Sequence, residues 1–136
     1  MNAEKIIHKG AILAIVIRDS SWEEGLNFVS SDVDFQQVGF WGYNKGKKLN
    51  PHIHLVKPRT VEHTQEVLFV KEGSIKADVF TEKEEFLKAV ELHKGDVMVL
   101  LKGGHGYEVL EDNTKVLEVK NGPYLGAKED RKVIQF

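Results

Sequence analysis

Short β-branched and aromatic segments, separated by turns about every 8 to 12 residues, constrain the fold of this chain more than any other feature. The unbroken apolar run Ala11–Ile17 predicts a buried strand, because it shows no polar alternation. Further candidate strands lie at 35–43, 67–70, 74–80, 86–92, 97–101, 106–110 and 115–120. Many short strands of this kind predict an all-β fold, either an antiparallel sandwich or a barrel.

Glycine marks several of the predicted turns. Gly73 follows Lys71-Glu72 and predicts a hairpin between the strands at 67–70 and 74–80. Lys94-Gly95-Asp96 predicts a turn before the strand at 97–101. We expect one domain over residues 1–136, with a core at about 35–120, an N-terminal strand extension at 1–34 and a C-terminal tail at 121–136.

Composition narrows the possible partners and chemistries. The chain contains no cysteine, which excludes disulfides, thiolate metal sites and a cysteine nucleophile. Lys and Arg number 19 against 21 Asp and Glu, and no basic stripe is present, so we expect no nucleic-acid partner. The longest apolar run is too short to span a bilayer, and the first residues do not resemble a signal peptide. We therefore expect a cytoplasmic protein without a membrane partner.

Three histidines and one glutamate form the clearest candidate for chemistry. His52 and His54 are two positions apart, so in an extended segment both side chains would point to the same side of a sheet. Glu66 begins an apolar run, and His105 follows a glycine pair. Three neutral imidazoles and one carboxylate form a ligand set for a divalent transition metal. Four protein ligands leave a position open on five- or six-coordinate Fe, Mn or Ni more readily than on tetrahedral Zn.

These residues resemble the two sequence motifs of the cupins, which are small jelly-roll barrels with metal ligands in the barrel interior. The elements of the first motif are read at Gly46, His52, His54, Glu66 and Gly73, and those of the second at Gly95, Leu101, Gly103 and His105. Eleven residues separate His54 from Glu66 where the family usually has three or four, Leu101 replaces a proline, and His105 comes one residue early. The resemblance implies a single-domain cupin jelly-roll barrel with His52, His54, Glu66 and His105 as metal ligands.

A weaker resemblance concerns the end of the chain. Residues 120–124 and 129–131 are similar to a group of single-domain cupins linked to bacterial surface-polysaccharide and sugar-nucleotide pathways. This resemblance implies a small carbohydrate-derived ligand. Small cupins also commonly pair through N-terminal strands, so we expect a homodimer that uses Ala11–Ile17 as its edge.

Other residues are candidates for the remaining parts of a site. Tyr107 shares strand parity with His105 and is the candidate catalytic proton donor, with structural packing as the alternative. Arg59 is a candidate clamp for a phosphate or carboxylate, or an exposed loop residue. Trp41 and Tyr43 are candidates to stack on a substrate, although one face of their strand is expected to pack the core.

Three functions fit this set of residues. The first is a metal-dependent isomerase, epimerase or dioxygenase that acts on a small polar molecule. The second is a metal-free sugar-nucleotide isomerase, in which the histidines would act as acid and base. The third is a non-catalytic module that binds a small ligand. The fold is shared by many chemistries and does not choose between them.

Overall fold

Antiparallel β-strands make up most of the regular structure. A computed structural model describes all 136 residues and contains ten strands. They are β1 (Glu4–His8), β2 (Ala11–Ile17), β3 (Gly25–Phe28), β4 (Gly39–Gly42), β5 (Glu66–Glu72), β6 (Ser74–Phe80), β7 (Phe86–His93), β8 (Val97–Leu100), β9 (Gly104–Val109) and β10 (Lys115–Lys120). A 3-10 turn at Asp19–Ser21 and one short helix, α1 (Ala127–Asp130), complete the regular structure. Neither is long or apolar enough to cross a membrane.

The strands form three separate sheets. The largest has the order β1-β2-β8-β5-β10, the second β7-β6-β9, and the third consists of β3 and β4. Every pair is antiparallel, so the prediction of an all-β antiparallel fold is confirmed. The sheets do not close into a barrel, because β9 and β10 each have a partner on one side only. The predicted barrel is therefore replaced by a sandwich that is open between these two edges.

The main core lies between the five-stranded and three-stranded sheets. It joins residues of both sheets in one cluster: Ile6, Leu13, Ala14, Val16, Leu68, Val70, Ile75, Ala77, Val79, Val90, Leu92, Met98 and Leu100. In β5 every second side chain is buried in this core, as the period-2 alternation of a strand requires. Burial of apolar area at about 25 cal/mol per Å² stabilises this packing of sheet on sheet.

The other face of the five-stranded sheet is covered as well. Ile15, Ile17, Val97 and Val99 form a second buried cluster there with Phe40, against which residues near the N-terminus and at 29–38 pack. Burial on both faces explains why β2 contains no polar residue. β2 lies between β1 and β8 and is not an edge strand. The predicted use of Ala11–Ile17 as a dimer edge is therefore wrong, and the homodimer itself stays a prediction.

The chain passes from one sheet to the other at Gly73. The predicted turn is present, but β5 and β6 belong to different sheets and do not form the predicted hairpin. Gly73 has φ +74°, and a Cβ at this position would collide with Thr114. Only glycine combines this backbone conformation with such a close approach. The strands predicted at 86–92, 97–101 and 115–120 are confirmed as β7, β8 and β10.

One predicted strand and the extended segment considered for His52 and His54 differ from the structure. The segment 35–43 contributes only β4, Gly39–Gly42, which pairs with β3. Residues 43–65 contain no strand, so His52-Ile53-His54 is not part of a sheet. Pro51 and Pro58 fall within this segment, and proline cannot donate a hydrogen bond to a strand ladder.

A buried carboxylate fixes the turn between β7 and β8. Asp96 Oδ1 accepts a hydrogen bond from the Asp19 backbone N–H at 3.0 Å. Its Oδ2 accepts bonds from Arg18 Nη1 at 2.8 Å and from the His93 backbone N–H at 3.0 Å. The side chain of Asp96 is 7 % exposed, and both of its oxygens have partners. This network ties the turn to the end of β2.

Candidate functional site at the open edge of the sandwich

Glu66 and two residues of β10 lie on one face of the five-stranded sheet. Leu68 and Val70 belong to the main core, and Glu66 shares their face because it precedes Leu68 by two positions. In the register of β5 and β10, Lys120 is opposite Glu66 and Glu118 is opposite Leu68. Their side chains therefore face the space between the sheets, at its open edge.

His105 and Tyr107 reach the same space from the three-stranded sheet. In the register of β6 and β9, His105 is opposite Val79 and Tyr107 is opposite Ala77, and both partners are core residues. The two aromatic rings lie 5.3 Å apart. The prediction that His105 and Tyr107 share a face is thus confirmed.

Glu66 and His105 meet in a close contact that lacks hydrogen-bond alignment. Glu66 Oε2 lies 2.9 Å from His105 Nε2, and the Glu66 side chain is only 10 % exposed. Oε2 is nevertheless a buried oxygen without a hydrogen-bond partner. The neighbouring His105 side chain is the main cause that lowers the pKa of Glu66, against the opposing effect of burial. The site therefore holds an ionised carboxylate whose inner oxygen lies beside His105 and Tyr107 without a well-aligned hydrogen bond.

Tyr107 adds a proton donor beside this carboxylate. Partial burial raises the pKa of Tyr107 above its ordinary value, and the negative charges of Glu66 and Glu118 raise it further. The phenol therefore stays protonated at neutral pH. Lys120 Nζ lies 3.9 Å from Glu66 Oε1 and 3.7 Å from Glu118 Oε1, so one ammonium group is shared by two carboxylates.

A small, mostly apolar cleft lies next to this cluster along the open edge of the sandwich. Its volume is about 180 Å³. It is lined by Leu68, Ile75, Tyr107, Val109, Val116 and Glu118. Tyr107 belongs to both the cluster and the cleft wall. A molecule in the cleft would therefore lie next to the polar side chains of the cluster.

His52 and His54 lie apart from this cluster. Both are exposed within the segment 43–65, and their rings are 5.1 Å apart. His52 Nδ1 lies 3.1 Å from the backbone oxygen of Asn50. No group of three or more His, Cys, Asp or Glu side chains comes together in a way that could hold a metal ion. The structure thus brings together Glu66 and His105 of the four predicted ligands and leaves the other two outside.

The predicted substrate-binding residues also lie elsewhere. Arg59 is exposed in the same segment, where its Nη1 donates a weak 3.4 Å hydrogen bond to the Lys57 backbone oxygen. Trp41 belongs to β4 and is 56 % exposed, with its ring 6.0 Å from that of Tyr43. Lys47 Nζ lies 5.2 Å above the Tyr43 ring. The roles of Arg59, Trp41 and Tyr43 in substrate binding stay predictions.

Sequence reasoning missed Lys120 and Glu118 as parts of the site. The signal was present, because the charged residues Glu118 and Lys120 alternate with the apolar residues Leu117 and Val119 along β10. Which of the two rows faces the interior depends on the pairing of β10 with β5. That pairing joins residues about fifty positions apart, and a strand pattern alone does not give it.

Polar contacts fix the chain where it enters β5. Gln65 is buried, and its Oε1 accepts a 2.9 Å hydrogen bond from the Gln36 backbone N–H. Its own backbone N–H donates to Asn121 Oδ1 at 2.8 Å. His63 Nε2 lies 3.0 Å from the backbone oxygen of Leu101. These contacts set the register that turns Glu66, and not Gln65, toward the cleft.

No protein-family profile, curated protein or solved structure matches this chain. The geometry of the site is therefore the basis for any functional conclusion.

Proposed function

We propose that this chain is a small-molecule enzyme of the cupin type whose reaction takes place at Glu66, His105 and Tyr107, with a divalent transition metal as its cofactor. One observation carries the proposal: a buried carboxylate oxygen is left without a partner 2.9 Å from an imidazole nitrogen. A buried unsatisfied charged atom costs at least about 1–3 kcal/mol, so it calls for a ligand.

The two donor atoms fit a shared metal ion. Metal–nitrogen and metal–oxygen bonds are about 2.0–2.2 Å long, so two adjacent donors at a right angle lie about 3 Å apart. Glu66 Oε2 and His105 Nε2 have this separation. His52 and His54, whose rings lie 5.1 Å apart in an edge-to-face arrangement, would supply the remaining donors from the exposed segment 43–65. A bound divalent ion would supply Lewis-acid polarisation of a carbonyl or hydroxyl oxygen.

The protein groups around this position can orient a substrate and move protons. Tyr107 is held protonated next to Glu66, so its hydroxyl can donate to a substrate oxygen. Lys120 offsets part of the negative charge of the two carboxylates. The apolar cleft walls would remove part of a bound molecule from water and so strengthen the polar interactions beside it. These properties favour proton transfer next to a carbonyl, as in isomerases and epimerases, over oxygen-dependent cleavage.

A second candidate is the same proton-transfer chemistry without a metal. It is favoured by the Glu66–His105 pair, because a carboxylate within 2.9 Å can orient an imidazole that acts as base or acid. This candidate needs neither His52 nor His54. The carbohydrate-derived substrate and the homodimer remain proposals that rest on the resemblance alone.

Metal content tests the proposal. Protein purified without chelators should contain nearly one equivalent of Fe, Mn, Ni or Zn by plasma mass spectrometry. Glu66→Gln and His105→Ala should each lose most of this metal, because each removes a donor atom. His93→Ala is the matched control, since His93 is exposed and belongs to the turn held by Asp96.

Two results would separate the candidates. Loss of metal in His52→Ala and His54→Ala as well would support closure of the segment 43–65 over the site. A wild-type protein that takes up no metal even after reconstitution would exclude the metal-dependent enzyme and leave the metal-free one.

A further inference from the structure

The cleft beside Glu66 has two chemically different ends. Its polar end is formed by Tyr107 and Glu118, and the cluster of Glu66, Lys120 and His105 lies beside it. Its other end contains Ile75, Val109 and Val116, which carry no hydrogen-bonding side-chain atom, and of these only Ile75 is buried. A ligand that fills the cleft must therefore combine an apolar body with a polar group at one end.

The volume limits the size of that body. An apolar cavity of about 150 Å³ accommodates a benzene molecule. The cleft of about 180 Å³ is only slightly larger, so it fits one six-membered ring with a short substituent. A sugar ring of the same size would place several hydroxyl groups against aliphatic side chains that offer no hydrogen bond, which costs free energy for each one.

The charge on the cleft wall limits the substituents further. Glu118 is the one charged residue in the lining, and its only close cation, Lys120, is shared with Glu66. An anionic group inside the cleft would face the uncompensated part of this negative charge. This repulsion determines the preference in the metal-free protein, because a divalent ion at Glu66 would itself attract an anionic group.

From these observations we infer that the cleft binds a compact, largely apolar molecule with a single uncharged or cationic polar group, which Glu66, His105 and Tyr107 contact. The inference rests on the proposed function, and it replaces the carbohydrate-derived ligand that the resemblance implies with a largely apolar one. It excludes sugar phosphates and nucleotide sugars as occupants of this cleft. The polar group lies at the cluster, and the ring lies between Val109 and Val116.

A set of four probes of similar size tests this inference. Benzyl alcohol, benzylamine, benzoate and D-xylose are each titrated into ¹⁵N-labelled protein, both as purified and after chelation, while amide shifts are recorded. Benzyl alcohol and benzylamine should shift the amides around Leu68, Ile75 and Val116. In the chelated protein benzoate should bind about tenfold more weakly, which corresponds to about 1.4 kcal/mol, and D-xylose should cause no shift there in either form.

Matched variants locate the binding. Val116→Phe fills the cleft and should abolish the benzyl alcohol shifts. Val119→Phe is its control, because Val119 is exposed on the opposite face of the same strand. Glu118→Gln should raise the affinity for benzoate at least about threefold and leave that for benzyl alcohol unchanged. Far-UV circular dichroism checks that each variant is folded.

The inference is overturned if D-xylose or benzoate binds better than benzyl alcohol to the chelated protein, or if no probe binds to folded wild-type protein. It is also overturned if Val119→Phe blocks binding as strongly as Val116→Phe. Failure of the proposed function is a separate result: metal would be absent while benzyl alcohol still shifts the cleft amides. The converse, metal bound at Glu66 without any binding of apolar probes, would remove this inference alone.

Discussion

Two buried carboxylates in this protein have opposite surroundings. Asp96 accepts hydrogen bonds from two backbone N–H groups and from the Arg18 guanidinium, so both of its oxygens are satisfied. Glu66 is buried to a similar degree, but its Oε2 has no hydrogen-bond partner although His105 lies 2.9 Å away. Asp96 thus holds a turn together, while Glu66 leaves an atom available to something that binds.

The contrast separates a structural charge from a functional one. Replacement of a carboxylate that stabilises the fold should lower the free energy of unfolding, because its hydrogen-bond donors lose their acceptor. A carboxylate that serves binding should cost little stability, because the fold already bears its unsatisfied oxygen. Asp96 and Glu66 can therefore be compared by replacing each carboxylate with the amide of the same shape.

The largest expected difference is in the free energy of unfolding. Asp96→Asn should lower it by about 2–3 kcal/mol, because an amide cannot accept all three hydrogen bonds. Glu66→Gln should lower it by less than about 1 kcal/mol, since it loses only the interactions with His105, Lys120 and Tyr107 that lower the pKa of Glu66, and burial opposes these. Urea unfolding followed by circular dichroism measures both. Equal losses in the two variants would contradict the assignment of different roles.

The turn that contains Asp96 should also tolerate a glycine-to-alanine substitution less well than the strand that contains His105. Gly95 has φ +89°, and a Cβ there would lie 2.5 Å from the Asp19 carboxyl, so Gly95→Ala should destabilise the protein by about 1–2 kcal/mol. Gly106→Ala is the matched control, because a Cβ at Gly106 meets nothing within 4 Å. Thermal unfolding compares the two. A greater loss of thermal stability in Gly106→Ala than in Gly95→Ala would mean that β9, and not the turn, is the less tolerant of the two.

The smallest effect concerns acid sensitivity. Burial acts to raise the pKa of Asp96, but the hydrogen bonds from His93, Arg18 and Asp19 outweigh it, so the net shift is downward. The pKa is lower in the folded than in the unfolded state, where it is about 3.9. The stability from this group is therefore present above about pH 4 and is lost as the pH falls through the folded pKa.

Asp96→Asn removes this contribution. The stability difference between wild type and the variant should be largest at pH 6 and should shrink toward pH 3, as unfolding temperatures over this range would show. A difference that stays constant with pH would mean that ionisation of Asp96 does not stabilise the fold.

Much of the strand content could be predicted from the sequence, because it depends on local patterns. β7, β8 and β10 follow from apolar alternation between turn residues such as Gly95. The pairing of strands could not be predicted in the same way. Gly73 marks a turn in either case, but only contacts between distant residues decide whether the chain doubles back or crosses to another sheet.

The candidate site was predictable only in part for the same reason. The sequence predicts part of the site because strand alternation assigns a face to three of its residues. These are Glu66 at the start of β5, and His105 and Tyr107 in β9. His52 and His54 were assigned to one face on the assumption that their segment is a strand. Residues 43–65 contain no strand, and the period-2 rule does not apply there.

Paramagnetic broadening by Mn²⁺ tests the central claim most directly, because both carboxylates report in one ¹H–¹⁵N spectrum. Substoichiometric Mn²⁺ should broaden the amide signals around Glu66 and His105 and leave those at residues 93–96 sharp. Glu66→Gln should remove the broadening at both places. Equal broadening around Asp96, or none at Glu66 and His105, would contradict the conclusion that the unsatisfied oxygen of Glu66 is a metal-binding position.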